Sequence, residues 1–291
     1  MSIELGSGGI NKIYLGNTEI KKVYLGSDLI YDKTAAGGYL LDTYTNAAAA
    51  YSLRQLKTGV TNVVRVRRSS DNAEQDFTPT QITDGTLTTF TGAGDGFVSA
   101  WYDQSGNANN ATQTTLTIQA KIVNSGALIL DNGNPVADYG LDKAVSYTFN
   151  TRLTNVLSSF IVNKFIPATI PTSPVGAFLL GDSATADYTG DDNSATGRYI
   201  DLTFASSDVR DGDNYLNGTP VNLGLTSRKT TTSLVTMFPL GATNVSRISQ
   251  DRGNVDRSWT GYIKEIILYE SNQSANRAGV EANINGYYNI Y

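Results

Sequence analysis

The chain contains neither cysteine nor histidine. The first absence excludes disulfides, thiolate metal sites and thiol nucleophiles. The second removes Ser-His-Asp catalysis, imidazole-ligated zinc and the usual general base near neutral pH. Positive charge is also in short supply: 22 basic residues stand against 27 acidic ones, a net charge of −5. That balance argues against nucleic acid and anionic membrane as partners. No apolar run approaches the ~20 residues of a membrane span, so no membrane insertion is expected. The opening residues MSIELGSGGIN carry no basic n-region and no apolar h-region, and the expectation is a soluble protein made in a cytoplasm without a signal peptide.

What is present favours strands. Apolar residues make up 40% of the 291, and 28 Gly and 17 Tyr accompany abundant Thr, Ser and Asn, a mixture of strand formers and turn formers. A chain of this length can bury roughly three quarters of its unfolded surface, enough for a sizeable core. The basic run Arg65-Val66-Arg67-Arg68 is followed by Asp71, Glu74 and Asp76, which predicts an ion-paired strand rather than a phosphate site. Gly92-Ala93-Gly94-Asp95-Gly96 lacks the interval of a dinucleotide loop. Three Asn-x-Thr/Ser sites, at Asn110, Asn217 and Asn244, are read as chance.

Residues 10–31 repeat themselves. Ile10-Asn-Lys-Ile-Tyr-Leu-Gly returns ten residues later as Ile20-Lys-Lys-Val-Tyr-Leu-Gly, each copy ending in Gly and a small polar residue. Alternating apolar residues meeting Gly16-Asn17 and Gly26-Ser27 predict a three-stranded meander at about 11–15, 18–25 and 28–31. Burying its few large side chains does not offset the entropy of ordering some twenty residues, so the ribbon must lie on a neighbour. The expected division is an anchoring module at 1–33, with Ile13, Tyr14, Leu15, Val23, Tyr24 and Leu25 as the anchoring side chains, and one domain at 34–291. Packing of this extension on its own domain is the alternative. The paired repeat resembles N-terminal segments of tailed-phage structural proteins, where such segments look like virion attachment modules.

The body predicts an antiparallel sandwich or jelly roll, mainly β: short runs such as VVRVRR, FVSAWYD, SSFIVNKF, TSLVTMF and YIKEIILYE are separated by Gly, Asn and Asp turns. Asn217-Gly218 is the clearest hairpin turn. Residues 39–57 have near-helical apolar spacing and predict a short helix. A C-terminal helix is expected from Ser274 as N-cap, with Val280, Ile284, Tyr287 and Tyr288 on one face. The closing stretch 259–291 is similar to the end of many concanavalin A-like (laminin G-like) jelly rolls. NVVRVRRSSDNAEQDF (62–77) and GFVSAWYDQSGNANNATQ (96–113) resemble the α-L-arabinofuranosidase B catalytic domain, itself such a sandwich, with Tyr102-Asp103-Gln104-Ser105-Gly106-Asn107 the most specific part.

The resemblance implies fold more than chemistry. A retaining arabinofuranosidase needs two carboxyl groups about 5 Å apart. The glutamates here are Glu4, Glu19, Glu74, Glu265, Glu270 and Glu281, and neither Gly181-Asp182 nor Arg198-Tyr-Ile-Asp201 matches the family's catalytic Glu segment. No catalytic residue is therefore carried over. Glu265, between Ile263 and Ile267, predicts a salt bridge to an arginine of 65–68 or an edge position. Asp103 predicts a turn carboxylate accepting backbone N–H bonds. Asp182, Asp187, Asp191 and Asp192, and separately Asp208, Asp211 and Asp213, raise calcium as a candidate without EF-hand spacing, and no other cofactor is expected.

Sugar binding needs aromatic faces and planar polar groups. The candidate ligand-binding residues are Trp101, Tyr102, Asp103, Tyr188, Asp191, Asp192 and Tyr215, with Tyr199 and Trp259 as further aromatic candidates. The reading is a non-enzymatic phage virion protein, a head decoration, head fibre or tail appendage on the virion surface. It would be held by capsid or tail proteins, assemble as a homo-oligomer (a trimer by analogy) and adhere weakly to cell-surface glycan. A glycoside hydrolase and a purely structural capsid-stabilising protein are the alternatives.

Overall fold

The computed structural model describes residues 38–141, 144–167, 177–190, 197–250, 252–253 and 257–291, and the backbone of four N-terminal strands. Those strands are Ile13–Leu15, Thr18–Ile20, Lys22–Leu25 and Asp28–Asp32. The expected central strand 18–25 is thus two strands, each paired antiparallel with one neighbour: Ile13 opposes Ile20, and Lys22 opposes Asp32. Leu15 also opposes Thr18, and Leu25 opposes Asp28, so the segment forms two antiparallel strand pairs in succession. The anchoring candidates Ile13, Tyr14, Leu15, Val23, Tyr24 and Leu25 lie on these strands. Their side chains fall outside the described residues.

The body is an antiparallel β sandwich made from one 16-stranded hydrogen-bonded network. Its path runs from Leu180–Gly181 through Thr243–Ile248, Tyr147–Val156, Ala111–Thr112, Gly96–Trp101, Lys121–Asn124, Ala137–Asp138, Gly261–Tyr269, Ser158–Phe165, Ser233–Phe238 and Asp213–Leu216 to Thr219–Pro220. The inner faces bury Tyr51, Trp101, Tyr139, Tyr147, Ile161, Val235, Ile263 and Trp259 in one core. A second apolar cluster lies on the opposite face of three central strands. There Phe160, Val162, Leu234, Ile267 and Tyr269 meet Leu40, Leu41, Leu56 and, from the C-terminal helix, Val280, Ile284 and Tyr288. Burial on both faces explains why FIV and IILY are continuous apolar runs and not alternating ones.

Two helix expectations are corrected. Residues 39–57 hold a single helical turn, Leu40–Thr43, and then a strand, Ala49–Ser52. Asn46 turns the chain at φ 64°, and the alanines pair with Gly261–Tyr269 between core and helix, where small side chains fit both faces. The C-terminal helix begins at Arg277, after a 3₁₀ turn at Ser274–Asn276, so Ser274 is not its N-cap. Val280, Ile284 and Tyr288 bury as expected, and Tyr287 stays partly exposed under Arg54. The Asn217-Gly218 hairpin forms as read, with φ 52° and 75°, the primed turn that matches strand twist.

Gly261, which opens the longest central strand, has φ +104°, and a Cβ there would run into the Lys164 carbonyl and the Ile166 nitrogen. Both obstacles are backbone, so neither can rotate away. Gly261→Ala is expected to lower unfolding stability by about 2–3 kcal/mol, seen as a fall in the urea midpoint without a change in slope.

Candidate functional site

Trp101 is fully buried against Tyr51, ring centroids 6.3 Å apart. The half-buried Tyr102 donates its hydroxyl to Asp76 at 2.7 Å. Tyr188 is 4% exposed and shares a 2.7 Å hydroxyl bond with Thr243. Tyr199 stacks on the fully buried Trp259, with planes 12° apart. Tyr215, in the strand next to the last of the sheet path, lies under the Arg277 guanidinium at 4.1 Å. It lines a depression of about 330 Å³ with Asp213, Asn214 and Asn222. Asp191 and Asp192 fall outside the described residues. The candidates named from the sequence are therefore spread over core, turn and sheet edge.

The motif around Asp103 is a latch. The Asp103 carboxylate accepts from the backbone nitrogens of Ala50, Ser105 and Asn109. Gln104, 1% exposed, donates to the carbonyls of Ser52 and Arg54 and accepts from the Leu56 nitrogen. Asn107 donates to the carbonyls of Ala47 and Ala48. These side chains replace ladder bonds for the segment 47–56, which a turn-forming reading of Asp103 anticipated.

Several acids elsewhere are engaged by cations. Glu265 pairs with Arg54 and not with the 65–68 run: Arg54 Nε and Nη2 lie 2.7 and 2.9 Å from its two oxygens. Burial alone would lower the Arg54 pKa, but the facing carboxylate outweighs it and holds the guanidinium above its usual range. Arg65 and Arg68 do pair, with Asp76 and Asp71. Arg67 instead bonds to Gln119 and Asn72. Asp182 is held by Arg152 at 2.8 Å and by the nitrogens of Ala184 and Thr185. Asp187 accepts from Asn244. Among the described residues, no three Asp or Glu side chains gather as metal ligands.

Asp131 receives two lysines, Lys164 at 2.8 Å and the fully buried Lys264 at 2.7 Å, together with the Thr232 hydroxyl. Burial works to raise the Asp131 carboxyl, yet these bonds hold it down to about 2. Lys264 moves the other way in its interest: desolvation outweighs its pairing with Asp131 and lowers its pKa. The carboxylate gains from the cluster, while the ammonium bears a desolvation cost.

The sheet register also creates a row that sequence reading missed. Arg67 opposes Phe97, Phe97 opposes Lys121, Lys121 opposes Asp138, Asp138 opposes Tyr262, and Tyr262 opposes Lys164. Their chain neighbours Val98, Ile122, Ala137 and Ile263 point into the core, so the row lies on the outer face, beyond the end covered by the C-terminal helix. Phe97, Lys121, Asp138 and Tyr262 line a trough of about 440 Å³ walled by Gln119, Asn124, Ile129 and Val145. Phe97 carries two cations over its ring, Arg67 at 4.6 Å and Lys121 at 5.6 Å, whereas Tyr262 carries Lys164 at 5.5 Å. Lys121 also binds Asp95 at 2.9 Å and Asn124 at 3.1 Å. Asp138 accepts from the Gly140 nitrogen. Burial, and then the Asp138 charge, raise the Tyr262 hydroxyl above its ordinary pKa. The sequence signal was slight: a single charged or aromatic residue, Phe97, Lys121, Asp138 or Tyr262, beside an apolar neighbour in each of four strands far apart in the chain.

No protein-family model matches the chain, and no curated protein matches it. Solved structures similar to it include a GH54 α-L-arabinofuranosidase soaked with a cyclic sulfate inhibitor and an arabinofuranosidase complexed with arabinofuranosyl-α-1,2-xylobiose. Each is 14% identical with a TM-score of 0.47 over 84% of this chain. The chain spans 64% of the length of those structures.

Proposed function

We propose that this chain is a structural protein on the surface of a tailed-phage virion, held by capsid or tail proteins through its N-terminal repeat and displaying the sandwich as a glycan-adhesion module. The observation that carries the glycan reading is the trough, where amide, ammonium and carboxylate groups surround aromatic rings on the outer face of the sheet. Hydroxyl-rich ligands are recognised by that mixture of ring faces and paired donors and acceptors. The N-terminal strand pairs support attachment, since so short a β ribbon gains its order from a neighbour. A homo-oligomer on a particle would convert weak single sites into firm adhesion through effective concentration.

The full chain and a chain lacking residues 1–33 are to be compared for incorporation into particles, oligomeric state and retention on immobilised cell-surface glycan. Incorporation and oligomerisation are expected to fail in the shortened chain while glycan retention persists. Release of reducing sugar by the full chain would replace adhesion with hydrolysis. Particle stabilisation with no glycan retained would leave a purely structural role.

A further inference from the structure

We infer that Asn132-Gly133 is a self-modification site, where the Asn132 amide converts to aspartate or isoaspartate and in doing so loosens the buried Asp131 ion cluster. The inference is independent of the adhesion reading.

Asn-Gly occurs three times, at 132–133, 217–218 and 285–286. A glycine nitrogen is the least hindered backbone nucleophile for the amide before it, so the sequence treats the three alike. The fold separates them. Asn132 and Gly133 are both exposed, at φ 51° and 75°, on the tip of the hairpin that pairs Leu130–Asp131 with Asn134–Pro135. The Asn134 amide reaches the Asn132 carbonyl at 3.3 Å, and among the described residues nothing holds the Asn132 side chain. A Cβ at Gly133 would meet nothing within 4 Å, so the turn has room for a succinimide ring. Only two residue pairs close the hairpin, and its opening is a local event.

The other two sites are tied down. Asn217 Oδ1 accepts from the Leu234 nitrogen at 2.9 Å, and the Tyr291 ring lies against Gly218. Asn285 sits in the helix Arg277–Tyr288, where its Oδ1 accepts from the nitrogens of Ile290 and Tyr291 and its amide donates to the Tyr291 carbonyl.

The chemistry needs only water. The Gly133 nitrogen attacks Asn132 Cγ, the Cγ–Nδ2 bond breaks, and ammonia leaves with the proton of the attacking nitrogen. Water then opens the succinimide: cleavage at Cγ gives aspartate, whereas cleavage at the backbone carbonyl gives isoaspartate, with the chain routed through Cγ. Either product sets a second carboxylate beside Asp131, and isoaspartate lengthens the turn by a methylene. Asp131 then loses its register with Asn134, and with it the hold on Lys164 and Lys264.

The test incubates the full chain at neutral pH, folded and in guanidinium chloride, and follows the three sites by peptide mass and by isoaspartyl methyltransferase labelling. Unfolded, all three should convert alike. In the folded chain Asn132 is expected to convert at least about tenfold faster than Asn217 and Asn285, the factor set by each ~1.4 kcal/mol of additional opening free energy. The aged chain should show a lower urea midpoint. Asn132→Gly, which suits the positive φ and has no amide to lose, should keep its own midpoint through the same incubation. Conversion of Asn217 or Asn285 at the rate of Asn132, or no conversion at Asn132, would overturn the site. A converted chain with an unchanged midpoint would overturn the link to Asp131, as would an equal fall in Asn132→Gly.

Discussion

Arg54→Ala is expected to cost about 3–5 kcal/mol of unfolding stability, because it strands the fully buried Glu265 without its cation. The Glu265 carboxylate would keep the Ser52 hydroxyl at 2.8 Å and the Tyr288 hydroxyl at 3.2 Å, and two neutral donors do not replace a bidentate guanidinium. Arg54 also donates to Asn283 and lies over the rings of Tyr287 and Tyr288, so its loss loosens the C-terminal helix from the sheet. Denaturation in urea should show the fall in midpoint. Arg54→Ala combined with Glu265→Leu is expected to recover part of the loss, since an apolar pair leaves no buried charge. A single variant within ~1 kcal/mol of the parent would show that solvent reaches the pair.

Asp131→Ala is expected to have a similar effect, about 3–5 kcal/mol, because it leaves Lys264 buried beside Lys164 with no carboxylate between them. The same cluster predicts an acid dependence. The folded Asp131 carboxyl titrates at about 2, below its ordinary unfolded value near 4, so its contribution is complete above about pH 4 and is lost as the pH falls toward 2. Roughly 2–3 kcal/mol should disappear across that window in the parent chain and not in Asp131→Asn. Asp182, also held well below the usual carboxylate range by Arg152 and two backbone nitrogens against the pull of burial, reinforces the trend. Stability measured by urea titration at stepped pH checks the slope.

The mainly β antiparallel sandwich and its C-terminal helix were legible because strand runs, Asn-Gly turns and the Val280, Ile284, Tyr288 spacing are local signals. Two errors came from local signals that tertiary pairing overrode. The alanines at 47–50 resemble a helix by propensity, yet Ala49 and Ala50 serve as small residues in a strand buried on both sides. Glu265 was rightly expected to be paired, but its partner is Arg54, 211 residues distant, and no pattern within the strand could distinguish that arginine from those at 65–68. The site was least legible. Aromatic residues in conspicuous motifs, Trp101 and Trp259 among them, went to the core, while the trough was assembled from single residues on separate strands whose register only the fold defines.

One irregularity in the strand Gly261–Tyr269 reaches further. Opposite Val162 and Asn163 the strand carries an extra residue, so Ile263 faces the core on an odd number and Ile266 and Leu268 on even ones. Lys264 and Glu265 sit at this change of phase, the first reaching Asp131 and the second Arg54. The bulge therefore acts as a partition along a single strand: residues before it can be exchanged without disturbing those after it, which carry the helix. Because the two stretches differ in parity by that one extra residue, losing it would leave a regular alternation with Ile263, Ile266 and Leu268 still facing the core, so this is the place where the strand can change length without turning over, at the cost of one ion pair.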